Sequence, residues 1–330
     1  MSVATLPDDR ITLRFLAAPG DVAASGLTVA AGRVLEWIDK AGYACAVGWS
    51  GSYCVTAYVG DVRFTQPIRP GNLIEVHARI VHTGRTSMHV LVTVEATDVR
   101  EREFRAATQC ILVFVAIDDD GVPREVPQWE PRTDRDLLLA ARAISRIEPR
   151  RIIRTAMNEQ VYSAEGTTPR TVFRFLAAPG DANWGGNAHG GTVMRWIDET
   201  AFACAASWSS DAAVAVYSGG IHFYRPIHIG QIVEVDARII HTSNRSMHVS
   251  VLVRSGSPRD AHNLQLTTRC LTVMVNLDSS GAAVPIRPVP LVSREDRRLD
   301  EHARALIDVR ASLATIPIAV AARSQRNRTE

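Results

Sequence analysis

Lysine is almost missing from this chain: of 37 basic residues, Lys40 alone is lysine. A Walker phosphate loop needs a lysine after its glycines, and Schiff-base chemistry needs one with a lowered pKa, so neither fits. GxSxG and HExxH are also absent, which removes the serine-hydrolase elbow and the zinc-protease helix. The five cysteines (Cys45, Cys54, Cys110, Cys204, Cys270) show no CxxC spacing. They read as small buried hydrophobes, with neither a disulfide framework nor a metal site expected. No apolar run is long enough to span a membrane. The start, MSVATLPDDR, has no basic n-region or apolar h-region, so no signal peptide is expected and the reduced cytoplasm is the expected location. A net charge of +2 gives no general attraction to nucleic acid or membrane.

What the chain does have is a duplication. RFLAAPGD occurs at Arg14–Asp21 and again at Arg174–Asp181; WID at Trp37–Asp39 recurs at Trp196–Asp198, and SMH at Ser87–His89 recurs at Ser246–His248. A period of about 160 residues is a repeated domain and not a solenoid unit. We expect a first domain over 1–130, a linker helix within 131–165, a second domain over 166–290, and a charged helix with a polar tail over 291–330. Each half reads as a short strand (Ile11–Leu16, Thr171–Leu176), then an Ala-rich helix apolar nearly all round (Gly32–Trp49, Gly191–Trp208). Four strand-like runs follow: Tyr53–Phe64, Leu73–His82, Ser87–Thr97 and Phe104–Ile117, then Ala212–Phe223, Ile232–His241, Ser246–Arg254 and Leu264–Leu277. That order predicts an α+β fold, an antiparallel sheet wrapped around one buried helix, made twice. Charged helices are expected at Asp134–Ile147 and Arg294–Arg310, and Ser324–Glu330 is expected to be disordered.

One stretch breaks the match. The second half reads Asn183-Trp-Gly-Gly-Asn-Ala-His-Gly-Gly191 where the first reads Ala23-Ala-Ser-Gly-Leu-Thr-Val-Ala-Ala-Gly32. The polar loop opens a helix whose first N–H groups are unpaired donors at its positive end, an oxyanion site. The helix acid lies seven residues on, about 10 Å along the axis, too far to touch the same carbonyl. A site that uses both must take its donors from one helix and its acid from the other. One composite site then joins Asn183, His189, Gly190 and Gly191 with Asp39. The other joins Ala23, Ala30, Ala31 and Gly32 with Asp198, keeping only an acid and one glycine. Either aspartate could instead be a structural acid, and His189 could simply cap the loop. His82 and His241, at equivalent strand ends, read as structural.

NxxGNxHGG, the WIDE helix, FYRPIHIG at Phe223–Gly230 and HTSNRSM at His241–Met247 together resemble the hotdog-fold acyl-CoA thioesterases. The resemblance covers roughly 11–130 and 171–290, so a double (tandem) hotdog is implied. It also implies acyl-CoA as substrate, with no cofactor beyond the CoA of the substrate itself, and a homo-oligomer, a trimer of double hotdogs. Carried over, the loop asparagine falls at Asn183 and the opposing acid at Asp39, acting as general base or as nucleophile. Gly190 and Gly191 would hold the oxyanion. Arg85 and Ser87, or Arg245 and Ser246, are candidates for the phosphates of CoA. WIDK departs from the family's acid after the aspartate, which places Lys40 beside Asp39. The alternatives are a hotdog hydratase-dehydratase using His189 with Asp39, and a non-catalytic acyl-CoA-binding protein.

Overall fold

The computed structural model describes residues 8–24, 26–101 and 103–311; the expectation for Ser324–Glu330 lies outside them. The first half runs β1 (Arg10–Leu16), α1 (Ala31–Ser50), β2 (Cys54–Val59), β3 (Val62–Arg63), β4 (Asn72–Thr83), β5 (Ser87–Asp98) and β6 (Arg105–Ala116). Two helices, α2 (Asp134–Ile144) and α3 (Ile147–Asn158), connect it to the second. There β7 (Arg170–Leu176), α4 (Gly190–Trp208), β8 (Ala213–Phe223), β9 (Ile232–Thr242), β10 (Met247–Gly256), β11 (Gln265–Asn276) and α5 (Arg294–Ala311) repeat the order.

All strands join one antiparallel sheet in the order β1-β4-β5-β6-β2-β8-β11-β10-β9-β7, with β3 on β8. The halves meet at its centre, where Tyr58 pairs with His222 and Val59 with Ile221. The Val- and Ile-rich strands turn alternate side chains inward onto α1 and α4, which share one continuous apolar core. The tandem hotdog architecture is therefore observed. On the outer face α2 packs Leu139 and Ala143 on Val81, Leu91 and Ile111, and α5 packs Leu299 and Ala303 on Ile240 and Leu271.

Two elements differ from expectation. The helix expected over Asp134–Ile147 ends at Ile144 and a second helix, which was not expected, follows it, because Pro149 has no N–H for the Ser145 carbonyl and its ring crowds that carbonyl. Val309 holds the matching place in the second half, and α5 runs through it unbroken. The run Tyr53–Phe64 is likewise split into β2 and β3 around Gly60 and Asp61, after a register shift between Thr56 and Tyr58.

Candidate active site

The central helices meet near their starts. A Cβ on Gly191 would lie 2.8 Å from the Cα of Glu36, and a Cβ on Gly32 would lie 2.8 Å from the Cα of Arg195. These two glycines are needed because a second backbone passes there. The crossing sets each helix start against the other helix's acid, so both composite pairs form: Gly191 with Asp39 and Gly32 with Asp198.

Asp39 is wholly buried and has three donors. Its Oδ2 accepts from Gly191 N–H at 2.7 Å and lies 2.6 Å from His189 Nδ1; its Oδ1 accepts from the Thr56 hydroxyl at 2.8 Å. A carboxylate offers about four acceptor positions, so one remains. Gly190 covers the carboxylate closely: a Cβ there would come within 3.0 Å of Thr56 Oγ1 and 3.1 Å of Asp39 Oδ2. His189 is the N-cap of α4. Burial alone would lower its pKa, but the hydrogen bond and charge of Asp39 prevail and raise it above the ordinary histidine value.

Among the described residues Asp198 accepts only from Gly32 N–H, at 2.7 Å. Burial pushes its carboxyl up to about 6 against that single bond. Repeat register explains the difference: Ala30 stands for His189, Ala31 for Gly190 and Ala215 for Thr56.

The loop before α4 is built on its own asparagine. Asn183 Oδ1 accepts from Gly185 N–H at 2.9 Å and Asn187 N–H at 3.1 Å, leaving its amide NH2 to donate elsewhere. The Tyr53 hydroxyl lies beneath, against the Asn187 and Asn183 amides. Above the loop Trp184, 83% exposed, stacks on Tyr43 with ring centroids 5.5 Å apart, and Tyr43 also neighbours His189.

The oxyanion assignment changes in part. Gly191 N–H is committed to Asp39, whereas Gly190 N–H has no partner among the described residues and remains a free donor at the helix start. Thr56, Tyr53, Tyr43 and Trp184 were missed; for Thr56 the signal was present, since it faces Ala215 in the repeat. Lys40 is exposed, and its charge acts on His189, where it lowers the pKa.

The predicted phosphate contacts are not drawn into the Asp39 cluster. Arg85 and Ser87 lie on the β4–β5 hairpin, at the end of the sheet where Met88 and Phe114 lead across to Thr56. Arg85 pairs with Glu125 at 3.3 Å in water, a contact worth little. Arg245 and Ser246 hold the matching place towards Ala215, with Ser246 bonded to Ser243 at 2.7 Å. His241 bonds Asp300 at 2.6 Å and stacks edge-on with His248; His82 meets His89 in the same way. All five cysteines are free and buried, with burial raising Cys45 to about 12 and Cys204 to about 11, so no thiolate competes for the chemistry. Glu75, His77 and Glu95 bring three ligand-type atoms within 4.8 Å on β4 and β5, apart from the Asp39 cluster. There Arg14 pairs Glu75 and Thr12 bonds His77.

The Thioesterase superfamily model matches residues 28–103 and again 185–262. Protein VdlD of Helicobacter pylori is 33% identical over 119 residues, covering 36% of this chain and 68% of that protein. The chain belongs to the thioesterase superfamily. The acyl-CoA thioester hydrolase YciA of Salmonella typhimurium is 30% identical over 124 residues, 37% of this chain and 92% of that protein. A match over both halves is found in the cytosolic acyl coenzyme A thioester hydrolase of Homo sapiens, 24% identical over 312 residues, 89% of this chain and 81% of that protein. This thioesterase therefore resembles two relatives over little more than a third of its length and the human one over most of it.

Proposed function

We propose that this acyl-CoA thioesterase hydrolyses its substrate at a single composite site, with Asp39 from the first half and the Asn183–Gly191 loop from the second. One observation carries the reading. Asp39 is oriented by three donors beneath Gly190, while Asp198, its repeat mate, has one donor among the described residues and an alanine in the glycine's place.

The free N–H of Gly190, at the positive end of α4, takes the thioester oxygen as charge develops on it. The Asn183 amide NH2 is the second donor. Asp39 uses its remaining acceptor position to draw a proton from water, and that water attacks the carbonyl. CoA leaves as the thiol and the acid is released. Thr56 and Gly191 N–H keep the carboxylate aligned, and His189 compensates its charge. The human relative is named cytosolic, and the cytosol is where this enzyme acts.

The test is a panel of acyl-CoAs with thiol release as readout. Asp39→Asn is expected to lose about a hundredfold or more in kcat/KM, the scale of a lost acid–base group. Asp198→Asn is expected to keep most of its activity. Equal losses, or a loss confined to Asp198→Asn, would overturn the assignment.

A further inference from the structure

The loop before α4 rests on a side chain to which the hydrolysis has so far given no part. Tyr53 stands between α1 and β2 in the first half, and its carbonyl accepts from Ile117 N–H at 3.0 Å. Its ring meets Tyr43 edge-on, with centroids 6.4 Å apart. From this anchored place the hydroxyl passes under the loop of the other half. A Cβ on Gly185 would strike it, so Gly185 is bare because the phenol oxygen occupies the place of a side chain.

That hydroxyl is buried and closes no hydrogen bond of good geometry, which is costly for a polar group shut away from water. The groups against it are the side-chain amides of Asn187 and Asn183. Asn187 Nδ2 already points at the Gly185 carbonyl, at 3.4 Å. Asn183 Oδ1 is committed to the N–H groups of Gly185 and Asn187, so its NH2 is the donor left for the phenol oxygen. An amide NH2 carries two hydrogens. One given to Tyr53 fixes the plane of the amide and leaves the other for the thioester oxygen. Burial raises the pKa of Tyr53 above the ordinary tyrosine value, so the hydroxyl is neutral at physiological pH. The repeat keeps these parts together. Ala212 stands in the place of Tyr53, its carbonyl accepting from Leu277 N–H at 3.3 Å, and in the sequence Ala23 and Ser25 stand for Asn183 and Gly185. Tyrosine, glycine and asparagine all belong to the Asp39 site, and the Asp198 site has none of the three.

We propose that Tyr53 is a positioning residue for the hydrolysis: its hydroxyl accepts one hydrogen of the Asn183 amide and so aims the other at the thioester oxygen. The proposal rests on the reading of Asn183 as the second oxyanion donor. The half that brings the acid then also aligns the donor of its neighbour, and a donor held in place before the reaction needs no reorganisation as charge develops. A mere prop for the loop would need only the ring, since the ring is what meets Tyr43.

Thiol release from acyl-CoA is measured for the full chain with Tyr53→Phe, with Asn183→Asp and with both. The first keeps the ring, and the second keeps the oxygen that builds the loop; Asn183→Ala replaces the second if it does not fold. Asn183→Asp is expected to lose about a hundredfold in kcat, the scale of one oxyanion donor. Tyr53→Phe is expected to lose about five- to tenfold in kcat at unchanged KM and melting temperature, and to add no loss in the Asn183→Asp background. Its pH profile is expected to match that of the unsubstituted enzyme. A Tyr53→Phe loss that multiplies the Asn183→Asp loss, a loss in KM alone, no loss, or a shifted pH profile would overturn the positioning role while leaving Asn183 as a donor. Full activity in both Asn183 variants would instead overturn the donor reading, and the positioning role with it.

Discussion

Asp39 and Asp198 hold the same position on two copies of one helix, and they differ in the groups that donate to them. A carboxylate with one donor in a buried place resists ionisation, as the rise of Asp198 to about 6 records. The stability that follows has a definite sign. The folded value lies above the unfolded one, near 3.8, so the favourable contribution is complete below about pH 4 and is lost as pH rises through about 6. Asp198→Asn should therefore raise the melting temperature at pH 7.5, by a stability difference on the order of 1–3 kcal/mol, and give no advantage near pH 4. Thermal unfolding at the two pH values checks this; an equal effect at both would mean that the ionisation is not the cause. The role of Asp39 is tested by isotope. In a single turnover in ¹⁸O-water, general-base chemistry places the label in the released acid at once, whereas direct attack places unlabelled oxygen there first. We expect label in the first acid released.

At the scale of helices and strands, adjacent glycines have different duties. Gly191 is bare because α1 passes against it, and Gly190 is bare because it roofs Asp39. Gly191→Ala and Gly32→Ala should each cost about 1–3 kcal/mol of stability, since a backbone and not a flexible tip stands in the way. Gly190→Ala should cost less stability and more kcat, because its methyl fills the space above the carboxylate. Denaturant titration alongside steady-state kinetics separates the two patterns. Much of this was legible beforehand: strand and helix bounds came within a few residues, since β-branched alternation and an all-apolar helix leave few other readings. The borrowing of donors and acid across the halves followed from the rise per residue alone. Thr56 was legible in principle, through Ala215 opposite it in the repeat. The commitment of Gly191 N–H to Asp39 was not, because it depends on how closely two helices pack. Nor was the stack of Trp184 on Tyr43, which joins residues distant in sequence.

For the whole molecule, the central seam matters most. Few residues pair directly between β2 and β8, so the union of the halves also depends on the crossing of α1 and α4 and on their shared core. Arg195 reinforces that crossing by pairing Glu36 at 2.9 Å. Beyond the fused pair, we propose a ring of three chains. The exposed apolar residues Val172, Phe173 and Leu176 on edge strand β7 suit such contacts. Light scattering should give three times the chain mass, and Phe173→Glu should lower it. A monomer in the unsubstituted protein would exclude the ring.

The covalent joining of the halves has a consequence for how such an enzyme can change. In a symmetric dimer of one short chain, every substitution appears in both sites at once, so losing a histidine, a threonine or an open glycine would disable the whole protein. Here each copy is encoded separately. Ala30, Ala31 and Ala215 could arise in one place while His189, Gly190 and Thr56 persisted in the other. On the single-site reading, fusion has released one of the two composite sites, and neither whole half, from selection for catalysis.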